Sequence, residues 1–215
     1  MSRNNRLFPA GTVFLFGLFL LVMLVTYMLL KPPAPPPELE GVLRSEFRQL
    51  FPFNLTDQSN VPFGEQRLAG KWTFVFFGYT SCPDVCPTTL YEMASLENQL
   101  NDESEENSDD IQVVFISIDP ERDTVEVLAK YVPYFSNSFI GATANKEEID
   151  KLIQQFGVGY VLEPESAPGH YTVTHTSAIF LVDPLSRLVA SFSQPHSAKT
   201  IASQFKTIRA YMTGA

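Results

Sequence analysis

Cysteine is scarce in this sequence, and histidine and basic residues are few. The 215 residues include 2 cysteines and 3 histidines, with 15 Lys and Arg against 24 Asp and Glu. Two cysteines are too few for a scaffold held together by disulfides, so any role they have must be local. A net charge of −9 argues against nucleic acid as a partner, because phosphate binding needs clustered basic residues. With 45% hydrophobic and 18% charged residues, the chain is too apolar to be disordered throughout.

Charged residues are absent from Leu7 to Leu30, a run rich in Leu, Phe, Val and Met. At about 1.5 Å per residue, a helix over this run is long enough to cross a bilayer. A cleaved signal peptide would have a shorter apolar region ending in small residues, whereas this run is followed by Lys31 and several prolines. We therefore expect an uncleaved transmembrane anchor over residues 7–30, preceded by a short N-terminus over residues 1–6.

The flanking charges predict how this anchor is oriented. Arg3 and Arg6 precede the run, and only Lys31 follows it closely. The positive-inside tendency then places residues 1–6 in the cytoplasm. The sequence before the run is not an Arg- and Ser-rich transit peptide, which counts against import into an organelle. We expect a single-pass inner (cytoplasmic) membrane protein whose soluble domain faces the periplasm, with residues 31–49 as a Pro-rich spacer and linker.

Residues 50–215 alternate between strand and helix patterns, which predicts an α/β sandwich with a mixed central sheet. The apolar, aromatic run Trp72–Gly78 has the length of a strand buried on both faces, and Ile111–Ile118 is predicted as a second buried strand. Further strands are predicted over Phe139–Ala142, Ser177–Val182 and Leu188–Phe192, the last two as a hairpin. Helices are predicted over Thr88–Leu100, from a cap at Asp123 to Tyr131, over Lys146–Phe156 and over Ser197–Met212.

Both cysteines lie in one short loop, Cys82-Pro83-Asp84-Val85-Cys86, between a predicted strand and a predicted helix. Two buried structural thiols are a poor explanation, because the loop is polar. A structural disulfide is also a poor explanation, because closing so short a loop constrains the unfolded chain little. If Cys86 opens the helix, the helix N-terminus should lower its thiol pKa and favour thiolate. We therefore interpret the pair as a functional dithiol, for redox chemistry or for metal binding.

A metal site needs a further ligand, and the candidates are His170, His175 and His196. Thiolates are soft ligands that select Cu(I), and imidazole suits copper in either valence state. His175 directly precedes the predicted Ser177–Val182 strand. If that strand neighbours the Trp72–Gly78 strand, its beginning should approach the dithiol loop. We therefore favour His175 over the other two histidines.

Three segments of the chain closely resemble the Sco/SenC family. They are FVFFGYTSCPDVCPTTL (Phe74 to Leu90), ISIDPERDT (Ile116 to Thr124) and VTHTSAIFLVDP (Val173 to Pro184). The resemblance implies a thioredoxin-like fold for residues 50–215, preceded by an N-terminal transmembrane helix. It also implies a copper-binding site and a role in maturing the copper centre CuA of cytochrome c oxidase.

Residue by residue, the resemblance assigns Cys82 and Cys86 as thiolate ligands and His175 as the histidine ligand. Asp119 lies in the family's DPxRDT segment, where the resemblance implies a supporting role near the site. One position departs from the family pattern. The family usually has Asp immediately before the ligand histidine, where this chain has Thr174. Losing that carboxylate removes a charge from the surroundings of the site and could change affinity or partner contact.

Two functions remain open at this point. The first is a copper metallochaperone that carries Cu(I), Cu(II) or both. The second is a thiol–disulfide oxidoreductase that reduces the cysteines of the copper-acceptor protein, with Cys82 and Cys86 as the redox-active pair. A peroxidase of the peroxiredoxin type fits less well. We favour the metallochaperone, because a reductase has no obvious need for His175. The expected partners are the copper-bearing subunit of cytochrome c oxidase, a copper donor or thiol reductant, and the membrane.

Overall fold

The computed structural model of the chain describes residues 10–30, 34–103, 110–164 and 171–214. The chain divides into two compact units, residues 1–35 and 36–215. In the first unit, helix α1 covers Ala10–Leu30. Among the residues described, no helix meets the length and hydropathy needed to cross a membrane. The N-terminus predicted over residues 1–6 and the histidine His170 lie outside the described residues.

The second unit is built on one large sheet with helices on both faces. Within the described residues the strands are β1 Leu43–Gln49, β2 Leu55–Asp57, β3 Pro62–Phe63, β4 Trp72–Gly78, β5 Ile111–Ser117, β6 Ile140–Thr143, β7 Tyr160–Leu162, β8 Val173–His175, β9 Ile179–Val182 and β10 Arg187–Phe192. The helices are α2 Val85–Glu103, α3 Val125–Tyr131, α4 Lys146–Phe156 and α5 Ala198–Thr213. Eight of the described strands form a sheet in the order β1-β10-β9-β4-β5-β6-β2-β3, and β7 pairs with β8 in a separate two-stranded sheet.

The sheet is mixed, as predicted. Strand β4 pairs in parallel with β5 and antiparallel with β9, so it occupies the centre. Every residue of β4 is buried, which explains why its sequence is apolar at all positions but Thr73 and does not alternate. On one face Phe74 packs edge-on against Phe205 of α5, with ring centroids 5.3 Å apart. On the other face Phe77 packs against Phe156 of α4 at 5.0 Å. The α/β sandwich is therefore confirmed.

Most of the predicted elements lie where the patterns placed them, and their caps explain their ends. The Asn145 side chain accepts a hydrogen bond from the Glu148 amide and begins α4, which ends at Gly157 in the left-handed region (φ 73°). The predicted hairpin joins β9 to β10. The helix predicted from Thr88 begins earlier, at Val85.

Two expectations need correction, and one sheet was missed. Thr124, and not Asp123, caps α3, because Asp123 is fully buried and bonds elsewhere. Residues 36–49, expected as part of the linker, belong to the second compact unit, since β1 pairs with β10 at the edge of the large sheet. The two-stranded sheet of β7 and β8 was not predicted. Its strands are three residues each and lack the long apolar runs that identified β4 and β5.

Candidate metal centre

The dithiol loop connects the central strand to a helix. Strand β4 ends at Gly78, and α2 begins at Val85, so Cys86 is the second residue of the helix. The sulfur of Cys86 packs closely on the end of β4, because a Cβ atom at position 78 would lie only 2.9 Å from it. Cys86 is fully buried, whereas Cys82 is partly exposed. The loop thus presents one accessible thiol and one hidden thiol.

The two thiols differ in acidity. The hydrogen bond from the Cys86 thiol, helped by the backbone amides of Cys86 and Asp84, lowers the pKa of Cys82 to about 5. The same hydrogen bond and burial raise the pKa of Cys86. The prediction that the helix N-terminus lowers the pKa of Cys86 was therefore wrong. The Cys86 amide donates to the Cys82 sulfur at 3.5 Å, so the helix N-terminus stabilises the thiolate of Cys82 instead.

His175 reaches the dithiol from the end of β8. Its Nε2 lies 3.8 Å from the Sγ of Cys86. Its Nδ1 is 3.0 Å from the carbonyl oxygen of Thr176, an acceptor that suits the tautomer protonated on Nδ1. In that tautomer the lone pair of Nε2 faces the sulfur. The imidazole packs against Phe76 and Tyr79, with ring centroids 6.2 and 6.1 Å away.

The prediction that His175 approaches the dithiol is confirmed by this geometry. It follows from the antiparallel pairing of β9 with β4, which brings the beginning of β9 to the end of β4. His196 has a different position, with Nε2 2.7 Å from the carbonyl oxygen of Ser177. Across the described residues, no three Cys, His, Asp or Glu side chains already stand at metal-holding spacing. The assignment of Cys82, Cys86 and His175 as metal ligands therefore stays a prediction.

The site opens to the surface through a shallow cavity of about 280 Å³. Cys82, Pro83 and His175 line it together with Tyr79 and Thr174. Thr174, the position where this chain departs from the family pattern, is exposed, and its hydroxyl donates to a carboxylate oxygen of Glu163 at 3.0 Å. A carboxylate therefore lies beside this position even though the chain has no acid there.

A polar cluster behind the site joins the DPERD segment to the strand that carries His175. Asp119 is buried and accepts hydrogen bonds from the Arg122 Nε and from the Tyr171 hydroxyl. The Asp119 carboxylate bonds to Arg122 and Tyr171 and not to the cysteines, so it holds the neighbouring chain segments. The sequence pointed to the DPERDT segment, which holds both Asp119 and Arg122, but it gave no sign of Tyr171, which becomes their neighbour only in the folded chain.

A second buried carboxylate supports the dithiol loop. Asp123 is fully buried and accepts hydrogen bonds from the amide and hydroxyl of Thr80, at 2.9 and 2.5 Å. It also accepts one from the hydroxyl of Ser117 at 2.6 Å. Burial raises the pKa of Asp123. Because Thr80 lies two residues before Cys82, these bonds fix the beginning of the dithiol loop.

Comparison with known proteins agrees with these features. The SCO1/SenC family model matches residues 44–210. The chain is 34% identical over 184 residues to an SCO2-like protein of Rickettsia prowazekii, covering 84% of this chain and 88% of that protein. It is 35% identical over 156 residues to the mitochondrial protein SCO1 homolog of Homo sapiens, covering 73% of this chain but only 51% of the human protein.

Solved structures show the same fold. The crystal structure of Arabidopsis thaliana ScoI with copper bound superimposes with a TM-score of 0.69 at 34% sequence identity, covering 75% of this chain and 98% of that one. This match extends the thioredoxin-like resemblance from three sequence segments to most of the chain. Because the SCO1/SenC family model matches most of this chain, residues 44–210, the chain belongs to the SCO1/SenC family.

Proposed function

We propose that this protein is a copper metallochaperone that binds copper through Cys82, Cys86 and His175 and assists assembly of the CuA centre of cytochrome c oxidase. The observation that carries the proposal is the 3.8 Å between Cys86 Sγ and His175 Nε2. Sulfur and nitrogen ligands about 2.3 and 2.0 Å from a shared ion are about 3.5–3.8 Å apart. Thiolate and imidazole are also the donor types that suit copper. A family relative binds copper in its crystal structure.

The exposure of the site supports delivery of the ion as cargo. Cys82 is partly exposed and lines an open cavity together with His175. A partner's ligands can therefore approach the ion from the Cys82 side while Cys86 holds it from the interior. We expect the acceptor to be the copper-bearing subunit of cytochrome c oxidase, and the ion to come from a separate copper donor.

Cu(I) titration of the reduced full-length chain in detergent tests the proposal. We expect one tightly bound copper per chain, measured by competition with a chromogenic Cu(I) chelator. Cys82→Ser should abolish tight binding. His175→Ala should weaken it by at least about 10- to 100-fold, the loss typical when only a residue that supports a ligand is changed, while leaving the dithiol oxidisable. His196→Ala is the matched control, because His196 bonds to the Ser177 carbonyl instead of facing the dithiol. Wild-type affinity in His175→Ala would refute the ligand assignment.

We further propose that the apolar run over residues 7–30 anchors the protein in the inner membrane, with the second unit in the periplasm. The support is the lack of charge from Leu7 to Leu30, a run longer than α1 itself, and the excess of Arg before it. The protein should remain in membranes after alkaline carbonate extraction. The second unit should be digested by protease in spheroplasts but not in intact cells. Release by carbonate would refute the anchor.

Thiol–disulfide reduction is the second candidate function, and the acidity of Cys82 supports it. A partly exposed thiol with a pKa of about 5 is a thiolate at neutral pH and can attack a partner's disulfide. Cys86 would then attack the mixed disulfide, which leaves a Cys82–Cys86 disulfide here and two reduced thiols on the partner. Cys86→Ser should trap the mixed disulfide. Turnover that survives in His175→Ala, without copper binding in the wild type, would favour this function.

A further inference from the structure

The strand that carries His175 is not held by the large sheet. Strand β8 pairs only with β7 among the described strands, in a sheet of two. The hydrogen-bond ladder that fixes β4, and with it the dithiol loop, therefore does not set the position of β8. Other contacts must hold His175 at its distance from Cys86.

Arg122 makes several of these contacts through one guanidinium group. Its Nη1 donates to the carbonyl oxygen of Tyr171 at 2.9 Å, and its Cζ lies 3.6 Å from the centre of the Tyr171 ring. Its Nε donates to the buried carboxylate of Asp119. The Tyr171 hydroxyl donates to the other carboxylate oxygen of Asp119 at 2.6 Å. Arg122, Asp119 and Tyr171 thus form a cluster in which each residue bonds to the other two. Tyr171 lies four positions before His175, so the cluster holds the chain just ahead of β8.

Tyr79 connects this cluster to the dithiol. The Arg122 guanidinium lies 5.5 Å from the centre of the Tyr79 ring. The Tyr79 hydroxyl accepts a hydrogen bond from the Val173 amide at 3.3 Å, and the same ring packs edge-on against His175. Tyr79 also lies three residues before Cys82, whose amide donates to its carbonyl oxygen at 3.2 Å. Through Tyr79, the packing of Arg122 therefore contacts both the strand that carries His175 and the loop that carries Cys82.

We propose that Arg122 is a positioning residue that holds β8 against the dithiol loop and so sets the place of His175 in the copper site. This inference rests on the proposed copper-binding function. Only a guanidinium can act in this way, because its planar fork donates to two acceptors while its face stacks on a ring. Lysine keeps the charge but offers a single ammonium, so it cannot satisfy Asp119 and the Tyr171 carbonyl in the same geometry.

The first test needs no copper. In the full-length chain in detergent, Arg122→Lys should speed hydrogen exchange at the amides of residues 173–176 by about tenfold or more, because β8 opens more often. Amides of the β4–β5 ladder should be unchanged. Tyr171→Phe, which keeps the ring but loses the bond to Asp119, should give a smaller increase and covers the case in which Arg122→Lys fails to fold. Unchanged exchange at residues 173–176 in both variants would overturn the proposal.

Arg187→Lys is the matched control. Arg187 pairs with the buried carboxylate of Asp183 and lies 5.3 Å from the Phe47 ring, so its surroundings resemble those of Arg122. Its side chain is 32% exposed, against 22% for Arg122. It lies at the β9–β10 turn, the end of β9 away from His175. Arg187→Lys should leave exchange at residues 173–176 and copper affinity unchanged; an equal effect would mean that general loosening explains the result.

The second test shows whether Arg122 acts through His175. Arg122→Lys should lower Cu(I) affinity about 10- to 100-fold, as expected when a residue that orients a ligand is changed. In the His175→Ala background, the same substitution should cause no further loss. An equal loss in both backgrounds would overturn the proposal, because Arg122 would then act on the dithiol or on the whole fold.

The two proposals fail differently. If the wild-type chain binds no copper through its cysteines, the proposed function fails, and hydrogen exchange at residues 173–176 still decides whether Arg122 holds β8. If the wild type binds copper and the Arg122→Lys variant binds it equally well, the function stands and the role of Arg122 is refuted. Nitrogen coupling from His175 in the Cu(II) paramagnetic resonance spectrum provides an independent signature, which Arg122→Lys should weaken and Arg187→Lys should not.

Discussion

Gly78 leaves no room for a side chain beside the buried sulfur of Cys86, and Gly78→Ala tests whether that sulfur defines the copper site. The new Cβ would lie 2.8 Å from Phe115 Cε2 and 2.9 Å from Cys86 Sγ, well inside the ordinary contact range that begins at 3.4 Å. Each of these two contacts must lengthen by about 0.5 Å, so the Cys86 sulfur is displaced relative to the end of β4. Gly78 is the last residue of the fully buried strand β4, so the strand itself has little freedom to retreat.

The expected effect on stability follows from overpacking, and the effect on binding follows from ligand placement. Forcing a methyl group into a packed core costs about 1–3 kcal/mol of unfolding free energy. Metal–ligand distances tolerate deviations of about 0.2 Å, so a displacement of about 0.5 Å at Cys86 exceeds what the site can absorb. We therefore expect Gly78→Ala to lose about 1–3 kcal/mol of stability and at least about tenfold in Cu(I) affinity.

Gly141→Ala separates the two effects. A Cβ at Gly141 would lie 2.4 Å from Val132 Cγ2, a more severe overlap, but it faces α3 and its flanking turn and not the cysteines. Urea unfolding and chelator competition on the full-length chains of both variants provide the comparison. Both should be destabilised, and only Gly78→Ala should lose copper affinity. If Gly78→Ala is destabilised like Gly141→Ala but binds copper normally, the position of the Cys86 sulfur does not control the site.

Three further predictions test local features of the fold and of the dithiol. Alkylation of Cys82 by iodoacetamide should be near its maximal rate at neutral pH and should slow as the pH falls through the Cys82 pKa of about 5. Cys86→Ala should move this dependence to higher pH, because the Cys86 thiol no longer donates to the Cys82 thiolate. Asn145→Ala removes the cap of α4 and should cost about 0.5–2 kcal/mol in urea unfolding, without changing copper affinity. Burial lowers the pKa of His196, so the neutral ring contributes full stability above its ordinary pKa of about 6.5 and less as the pH falls. His196→Gln should accordingly lose less stability on acidification than the wild type.

The features that the sequence predicted well are those that depend on neighbouring residues. The run Trp72–Gly78 is apolar at every position except Thr73, and it forms β4 with the predicted bounds. The helix Lys146–Phe156 also has its predicted bounds, because its cap at Asn145 and its ending at Gly157 lie beside it in the chain. The dithiol loop was found for the same reason: a strand, a polar turn and a helix follow one another directly. The placement of His175 succeeded because it required only one assumption about distant residues, the pairing of β9 with β4.

The features that the sequence missed depend on residues brought together by the fold. Strand β1 belongs to the sheet because it pairs with β10. None of its residues is buried, so its sequence has no apolar run or apolar–polar alternation that would reveal a strand. The lowered pKa was predicted for Cys86 and belongs to Cys82, because it depends on which sulfur receives the helix amides and which is buried. Arg122 lies next to Tyr171 only after β5 and β8 have taken their places, and no spacing in the sequence records this contact.

The different acidities of the thiols explain why the dithiol alone cannot decide between the two proposed functions. A partly exposed Cys82 thiolate beside a buried Cys86 thiol suits attack on a disulfide, with Cys86 as the resolving thiol. The same pair suits a metal, because Cys82 is already in the ligating form and only Cys86 must lose a proton when the ion binds. The discriminating residue is His175. Reduction of a disulfide needs no imidazole beside the buried sulfur, whereas a copper ion bound there would gain a third ligand. Tyr79 contacts both Val173 of β8 and the Arg122 guanidinium, and in the proposed arrangement these contacts keep the imidazole facing Cys86.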